Sequence, residues 1–460
     1  MRPERLAAGV AVALLACAAA TWLRFGLEGT LRIDTATPAF LWCALLVGAG
    51  LSAAGAAALR LQTQAAAAQL PRLFRSALIA HLCAWPALAL TSSDLFSNLA
   101  YGELTVRGLN PYLVGPAALG TGQLLELVTP RWVNTPSVYG PPITALDALA
   151  ALCGRALGGP LWGAGAAYKL LLLGATLCTV LLAYRHALQA ARDDARTASA
   201  GFVLLAFSPL LLWEGSAQAH NDGVMLCALM AFVCAARAGR ETLAAVLLAL
   251  GTWSKLAVAP LLALYLLFLF RRAPAKALLL AALALGLGAL FLAPFWTGPE
   301  VLGGPGAALW GDVDRHAHSL ADLLHLLLRP AGQAAQATAV RLCWFVSAAV
   351  VTWTFLRAAQ RASDLASVLR GSLCVLLSYC LTTPWFQPWY AVWLLPLAAA
   401  ERDLRWQRAV AGYTLITVVQ WALPLDPFTT LVGNAWVLRE LWHLRRVPVL
   451  LDEAPAAAAA

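Results

Sequence analysis

The sequence has few charged residues. Of its 460 residues only 12% are Asp, Glu, Lys or Arg, whereas 61% are hydrophobic. Soluble domains are about one quarter charged and about one half apolar. The composition therefore excludes a soluble globular protein and makes the lipid bilayer the first partner that we expect for this chain.

Signals of β structure, of nucleotide binding and of paired cysteines are also lacking. Leu- and Ala-rich runs such as 277–292 replace the alternating pattern of an outer-membrane barrel. There is no Walker motif, no G-x-G-x-x-G and no C-x-x-C, and most of the ten cysteines lie within apolar runs. Because lipid leaves only helices and closed barrels as spanning structures, we predict an all-α, polytopic transmembrane bundle of about 12–14 helices.

The net charge of +9 comes from 32 Lys and Arg against 23 Asp and Glu. Most of the Arg residues stand in short loops between apolar runs, where they set the topology of a membrane protein. We therefore interpret the basic balance as a topology signal and expect no nucleic-acid partner.

Apolar segments that reach or approach spanning length, about 20 residues, follow one another along the chain. They lie near 6–23, 38–58, 76–91, 162–184, 199–213, 222–236, 276–296, 336–357, 366–383, 388–400 and 408–424, with a marginal one at 427–438. The stretch 243–270 is too long for one helix, and we predict two short helices hinged at Trp253-Ser254-Lys255. The first segment resembles a secretory signal, but we interpret it as a transmembrane helix because more spans follow it.

The positive-inside rule puts the Arg-rich loops in the cytoplasm. The alternation of loops closes only if 143–160, with Asp147 and Arg155, is an interfacial amphipathic helix on the outer surface. The outward segments are then 24–37, 92–161, 214–221, 297–335 and 384–387. We predict a single transmembrane domain over 1–450, with a long extracytoplasmic loop that carries interfacial helices at about 92–161, and a disordered Ala-rich tail over 451–460.

Polar residues without a topological role cluster in the outward segments. Asp94 stands where a helix leaves the membrane, and partial desolvation there favours the proton acceptance that a general base needs. The alternative is that Ser92, Ser93 or Asp94 caps the next helix. The same loop offers Tyr101, Glu103, Asn110, Tyr112 and Tyr139 as further candidates. Their ordinary interpretations are a solvated helix residue for Glu103 and rigid turns for the Asn-Pro-Tyr and Gly-Pro-Pro sequences.

A second polar group lies at a helix junction, where His220, Asn221 and Asp222 follow one another. Adjacent polar groups near membrane depth are costly unless they are used, although Asp222 could instead cap the next helix. One His with one carboxylate provides too few ligands for a metal site. Lys255, between two apolar runs, could bind a phosphate or an acidic partner, or snorkel to the surface.

Two later outward segments hold the remaining candidates. Arg315 and His316 lie in the most polar loop, where a histidine could reach a metal or a phosphate or simply be solvated. The last candidates are aromatic or amide side chains, Trp385, Gln387, Trp389 and Tyr390. Their aromatic rings could form a belt at the membrane interface or stack on a sugar.

The order of these pieces resembles one family. Ser-Asp, Tyr-Gly, Gly-x-Asn-Pro-Tyr, Tyr-Gly-Pro, His-Asn-Asp, a lone Lys and Trp-x-x-x-Trp-Tyr-x-x-Trp follow one another between about residue 76 and about residue 400. This region is similar to the polyprenol-phosphate-mannose-dependent α-1,6-mannosyltransferases of actinobacteria, a branch of the GT-C membrane glycosyltransferases.

The resemblance implies a multi-pass enzyme of the bacterial cytoplasmic membrane with a GT-C fold and an extracytoplasmic active site. The donor would be a polyprenyl-phosphate sugar, with mannose as the hexose, and the acceptor a hydroxyl of a glycan or glycolipid. Asp94 would be the base of a single inverting displacement, and His220, Asn221 and Asp222 would line the site. The donor phosphate would meet Lys255 and the loop around Arg315 and His316.

The resemblance does not settle the cofactor. Relatives often have two acids close together in the first outer loop, whereas Asp94 has only Glu103 nearby. We therefore assign no metal ligands, and a divalent cation is the one cofactor that stays open.

Two other functions fit the same pattern. A transporter or flippase of lipid-linked sugars would share the bundle, but it should place polar groups near mid-membrane in both halves. Here the polar groups are concentrated on one face, which favours an enzyme. A GT-C enzyme that uses another polyprenyl-phosphate sugar, or another acceptor, is the second alternative.

Overall fold

The computed structural model describes residues 3–303, 315–422 and 428–446. Across these ranges the chain forms helices and short connections, and the one β contact is an isolated bridge between Ala317 and Trp385. The all-α class is therefore confirmed. The predicted tail over 451–460 and the polar residues 310–314 lie outside the described residues.

The helices follow the apolar runs of the sequence. In chain order they are α1 (Pro3–Glu28), α2 (Pro38–Gln64), α3 (Leu70–Ala84), α4 (Asp94–Val106), α5 (Gln123–Leu127), α6 (Pro130–Val133), α7 (Pro141–Ala156), α8 (Trp162–Ala190), α9 (Ala195–Ala206), α10 (Asp222–Arg237), α11 (Glu241–Ser254), α12 (Ala259–Phe270), α13 (Pro274–Leu292), α14 (Leu320–Leu327), α15 (Gln333–Arg361), α16 (Leu365–Thr382), α17 (Leu395–Ala400), α18 (Leu404–Ala422) and α19 (Phe428–Arg446). A π-helix, Leu211–Ala217, and a 3-10 helix, Pro388–Leu394, stand between them.

Among the described residues, 6 helices are long and apolar enough to cross a membrane, or up to 7 if one bent pair counts as one span. Three shorter apolar helices, Glu241–Ser254, Leu256–Phe270 and Pro388–Ala400, add to them. Only 17% of the apolar window in Pro274–Phe295 and 11% of that in Gln333–Arg361 is buried within the protein. Helices with so much exposed apolar surface belong in hydrocarbon, so the protein is a multi-pass membrane protein.

Helix ends follow local rules of capping and proline placement. Thr37 caps α2 by accepting a hydrogen bond from the Phe40 N–H, 3.1 Å away, and Pro38 fills the first helical position. The segment predicted near 76–91 is wrong in its bounds, because the helix spans Leu70–Ala84 and ends just before Pro86. A proline cannot donate the backbone hydrogen bond that a continuing helix requires.

Two of the predicted spans are broken within the bundle. The segment predicted near 199–213 is broken into Ala195–Ala206 and Leu211–Ala217, which meet at 46°. The long stretch 243–270 is also broken, since α11 ends at Ser254 and Lys255 has extended backbone angles. The hinge predicted at this point is therefore confirmed. Both breaks interrupt apolar helices and expose backbone and polar side chains inside the bundle.

Helix α7 has one buried and one exposed face, as an amphipathic helix should, but its acid lies on the buried face. Asp147 is 0% exposed, and this burial raises its pKa well above the usual value of a carboxyl, despite the nearby Tyr168 hydroxyl. Gly102 lets α4 approach closely, because a Cβ there would meet the Asp147 carbonyl oxygen at 2.1 Å. Tight packing of α7 thus fixes the helix that begins at Asp94.

Candidate active site

Asp94 begins α4 and keeps its carboxylate free of capping. The N-cap position is occupied by Ser93, whose side chain makes no capping hydrogen bond, and the Ser92 hydroxyl accepts from the Asp94 N–H at 3.1 Å. The Asp94 side chain is therefore not the cap of α4. Its carboxylate is 22% exposed, so that it is accessible and yet partly desolvated.

Two side chains hold the Asp94 carboxylate. The Tyr139 hydroxyl donates to Asp94 Oδ2 at 3.3 Å, and His220 Nδ1 lies 3.6 Å from the same oxygen. Burial and the neighbouring Asp94 charge raise the pKa of Tyr139 well above 10, so its hydroxyl stays a donor. Both contacts are to Oδ2, and neither involves the second carboxylate oxygen of Asp94.

Glu214 is a buried acid that the sequence argument missed. It lies in the π-helix, is 1% exposed, and its Oε2 is 3.1 Å from His220 Nε2. Short π-helical turns are frequent at functional sites, and Ala219 beside them has a left-handed φ of 56°. The imidazole of His220 is thus held between two carboxylates, those of Glu214 and Asp94.

The charge of His220 depends on these acids. Burial lowers its pKa, but the carboxylates of Glu214, Asp94 and Asp222 outweigh burial and raise the pKa above 6.5. A histidine whose pKa is higher in the folded than in the unfolded state adds to the stability of the fold. This contribution is complete below the unfolded-state pKa of about 6.5, and it is lost as pH rises through the folded-state pKa. The neighbouring acids therefore favour the protonated form of His220.

We expect the thermal unfolding midpoint of the detergent-solubilised protein to fall as pH rises from about 6 to about 9. The Glu214→Gln variant should show a smaller fall, because the amide no longer stabilises the imidazolium. All titrating groups other than Glu214 are common to both proteins, so the difference between the two curves reports on the pair of Glu214 and His220. Superimposable curves would contradict the assignment.

A second ion pair lies beside the first. Lys255 Nζ donates to Asp222 Oδ1 at 2.6 Å, and Trp393 Nε1 donates to the same oxygen. The ammonium also lies 5.1 Å from the ring centre of Trp393 and 5.5 Å from that of Tyr390. Lys255 therefore points into the protein rather than snorkelling. The other oxygen, Asp222 Oδ2, is buried and has no hydrogen-bond partner among the described residues.

Asparagines and an aromatic ring complete the cluster. Asn98, which the sequence argument also missed, donates to the Asp94 carbonyl at 2.8 Å and accepts from Asn221 at 3.3 Å. Trp389 stacks on His220, with ring centres 4.1 Å apart and an angle of 24°. Trp389 is 8% exposed, so it packs inside and does not form a surface belt. We call Asp94, Tyr139, Glu214, His220, Asp222 and Lys255 the Asp94 cluster.

A sequence model of one family matches residues 6–271, which is more than half of the chain. The family is described as "Alpha-(1->6)-mannopyranosyltransferase, N-terminal domain". The chain belongs to this mannosyltransferase family. The whole Asp94 cluster lies within the matched residues, whereas Trp389 and Trp393 follow them.

Two curated proteins carry a similar segment. One is a probable alpha-(1->6)-mannopyranosyltransferase of Mycolicibacterium smegmatis, and the other is an alpha-(1->6)-mannopyranosyltransferase of Mycobacterium tuberculosis. Each is 48% identical over 52 residues, which cover 11% of this chain and 9% of the relative. The likeness to these two mannosyltransferases is therefore local, and the family model carries the assignment.

Other residues that the sequence predicted for the site lie in structural contacts. The Tyr101 hydroxyl donates to the Thr135 carbonyl at 2.9 Å, and Glu103 pairs with Arg107 at 2.8 Å. Asn110 donates to the Phe295 carbonyl at 2.7 Å, while the buried Tyr112 shares a hydrogen bond with Thr144 at 2.8 Å. These contacts order the segment 92–161, and no direct contact with Asp94 is among them. Their roles in substrate binding stay predictions.

The candidates from the two later segments that are predicted to face outward form an aromatic and cationic group. The guanidinium of Arg315 lies 5.1 Å from the Trp385 ring and 5.4 Å from the Trp132 ring, and Arg131 lies 4.7 Å from Trp385. His316 pairs with Asp322. The Gln387 side chain is mostly buried, and its backbone carbonyl accepts from the Tyr390 N–H. The charges of Asp94, Asp222 and Arg315 all act on the Tyr390 hydroxyl. The aromatic and cationic group therefore borders the Asp94 cluster.

Lys169 and Gln218 fasten the two segments that carry Asp94 and His220. Lys169 donates to the carbonyls of Ala87 and Ala217. Gln218 accepts from the Leu90 N–H at 2.7 Å and the Thr91 N–H at 3.2 Å, and donates to the Leu88 carbonyl at 3.1 Å. Neither residue belongs to a recognisable motif, and only the tertiary structure brings them together.

We expect Gln218→Leu to destabilise the protein by about 2 kcal/mol, because it leaves the buried Leu90 N–H without a partner. Gln189→Leu, an exposed position on α8, is the matched control and should change stability by less than about 0.5 kcal/mol. Unfolding in mixed micelles with increasing dodecyl sulfate measures both. Equal stability of the two variants would contradict this bracing role.

The described residues contain no group of three or more His, Cys, Asp or Glu side chains placed to hold a metal ion. The Asp94 cluster provides the accessible carboxylate of Asp94, the imidazole of His220 beside it, and two buried acidic side chains, Glu214 and Asp222.

Proposed function

We propose that this protein transfers mannose from a polyprenyl-phosphate donor to a hydroxyl of an extracytoplasmic glycan or glycolipid. The observation that carries the proposal is the Asp94 carboxylate, which is accessible and held by Tyr139 and His220. It stands in the segment predicted to be the first outer loop, in a chain that belongs to the mannosyltransferase family. The lack of a nucleotide-binding motif supports a lipid-linked donor.

The proposed reaction is one displacement. The acceptor hydroxyl oxygen forms a bond to the anomeric carbon of mannose, and its proton goes to Asp94. The bond between that carbon and the phosphate oxygen breaks, and its electron pair leaves with the lipid phosphate. His220 orients Asp94, because the imidazole ring is fixed on its far side by Glu214. General-base assistance of this kind contributes about 10²–10⁴ in rate.

The negative charge of the leaving phosphate needs cations nearby. Lys255 is one candidate, although its ammonium already forms an ion pair with Asp222, with 2.6 Å between Nζ and Oδ1. Arg315 and Arg131 are held on the two aromatic rings at the border of the cluster, which favours them for the lipid phosphate. The partnerless Asp222 Oδ2 is then placed to accept a hydrogen bond from a sugar hydroxyl.

The test compares two donors that carry the same sugar. Purified protein in liposomes receives radiolabelled mannose either on polyprenyl phosphate or on GDP, with a mannoside acceptor present. We expect transfer from the lipid donor and none from the nucleotide donor. Transfer from GDP-mannose would overturn the proposed donor, and movement of the lipid donor across the bilayer without transfer would favour a flippase.

A further inference from the structure

A polar cavity of about 200 Å³ lies at the opposite end of the bundle from Asp94. Helix α10 begins at Asp222 in the Asp94 cluster and ends at Arg237 in the cavity wall, about 22 Å away at 1.5 Å per residue. Helix α8 likewise contributes His186 near its C-terminal end. The cavity therefore opens on the face that carries the Arg-rich loops, and the mannosyl-transfer site does not use it.

The acids that line this cavity already have partners. Asp194 caps α9 by accepting from the N–H groups of Arg196 and Thr197, at 3.1 and 3.0 Å. Glu401 accepts two hydrogen bonds from Arg370, at 3.0 and 2.6 Å. Asp193 meets Arg402 at 3.4 Å in an exposed pair. Carboxylate charge in the wall is thus largely matched.

Two nitrogen-bearing side chains in the cavity wall, those of Arg237 and His186, have no acidic partner of this kind in the part of the chain that the structure describes. Arg237 donates to the Ala400 carbonyl at 2.7 Å, but its Nε is buried without a partner and no carboxylate pairs with it in the described ranges. His186 is 5% exposed and forms no hydrogen bond to any residue that the structure describes. A buried donor without a partner, such as Arg237 Nε, is costly, and a ligand with acceptor oxygens would satisfy it and would also accept from His186.

We propose that this cavity binds a phosphate group, with Arg237 and His186 as its donors. The cavity volume of about 200 Å³ is sufficient for one phosphate group. Arginine is suited to phosphate because its guanidinium presents several donors in a fixed plane. Basic pockets between helices at the cytoplasmic side take anionic lipid headgroups, and a free phosphate has the same oxygens.

The experiment measures binding to the full-length protein in detergent by the shift of its unfolding midpoint. The probes are inorganic phosphate, mixed micelles containing phosphatidylglycerol, and micelles containing phosphatidylcholine as the neutral-headgroup control. We expect stabilisation by phosphatidylglycerol or by phosphate, and the probe that acts identifies the source. Stabilisation equal to that by phosphatidylcholine, with no effect of phosphate, would overturn the proposal.

Variants then locate the effect. Arg237→Gln should bind the active probe at least about tenfold more weakly, as expected for the loss of one charge-assisted hydrogen bond. Arg240→Gln, three residues along the same loop and exposed, is the control and should bind as the unchanged protein does. If Arg237→Gln does not fold, His186→Leu carries the test. Equal loss in the control, or no loss in either cavity variant, would overturn the assignment.

Discussion

Replacing Asp94 by Asn is expected to lower the rate of mannosyl transfer by about 10²–10⁴-fold. Asn keeps the shape of the side chain and can still accept a hydrogen bond from Tyr139, but it cannot accept the acceptor's proton. The rate falls in kcat, since the carboxylate acts in the transition state rather than in binding. Initial rates with saturating polyprenyl-phosphate-mannose measure the effect.

The control for Asp94→Asn lies in the same segment, 92–161. Glu126 is exposed on α5, and Glu126→Gln should keep the rate within about twofold of the unchanged protein. Both variants need equal amounts of folded protein, judged by their unfolding midpoints. Turnover of Asp94→Asn close to that of Glu126→Gln would remove Asp94 from the reaction.

Breaking the pair of Lys255 and Asp222 is expected to cost about 3–5 kcal/mol in stability. Asp222 is 3% exposed in its side chain, so Lys255→Met leaves a buried carboxylate without its cation. Pairing it with Asp222→Asn should recover part of the loss, because no uncompensated charge then remains. Unfolding by dodecyl sulfate in mixed micelles gives the three free energies.

The chain offers a matched control for this ion pair. Lys276 meets Glu241 at the same 2.6 Å, but its side chain is 43% exposed. Lys276→Met should therefore cost less than about 1 kcal/mol. A cost for Lys255→Met as small as that for Lys276→Met would show that Asp222 is compensated by other groups.

Helices and hinges were predictable because they depend on local composition. Long apolar runs give the helices, and Lys255 between two such runs marks the break between α11 and α12. The end of α3 was misplaced because the run continues past Pro86 while the backbone cannot. The orientation of the bundle, which rests on Arg distribution, stays a prediction.

The site was only partly predictable. Asp94, His220 and Asp222 stand out as polar residues at helix ends. Glu214 directly follows the apolar run 199–213, and its role becomes visible only through its 3.1 Å contact with His220. Asn98 was missed because an isolated polar residue on a helix has no signal of its own. Pairings over more than a hundred residues, such as that of Asn98 with Asn221, need the tertiary fold.

The most direct test of the central claim is the anomeric configuration of the product. Purified protein would transfer mannose from polyprenyl-phosphate-mannose of known configuration to a synthetic acceptor, and nuclear magnetic resonance would assign the new linkage. A single displacement assisted by Asp94 predicts a product inverted relative to the donor. A product with retained configuration would require two displacements and would contradict Asp94 as a simple base.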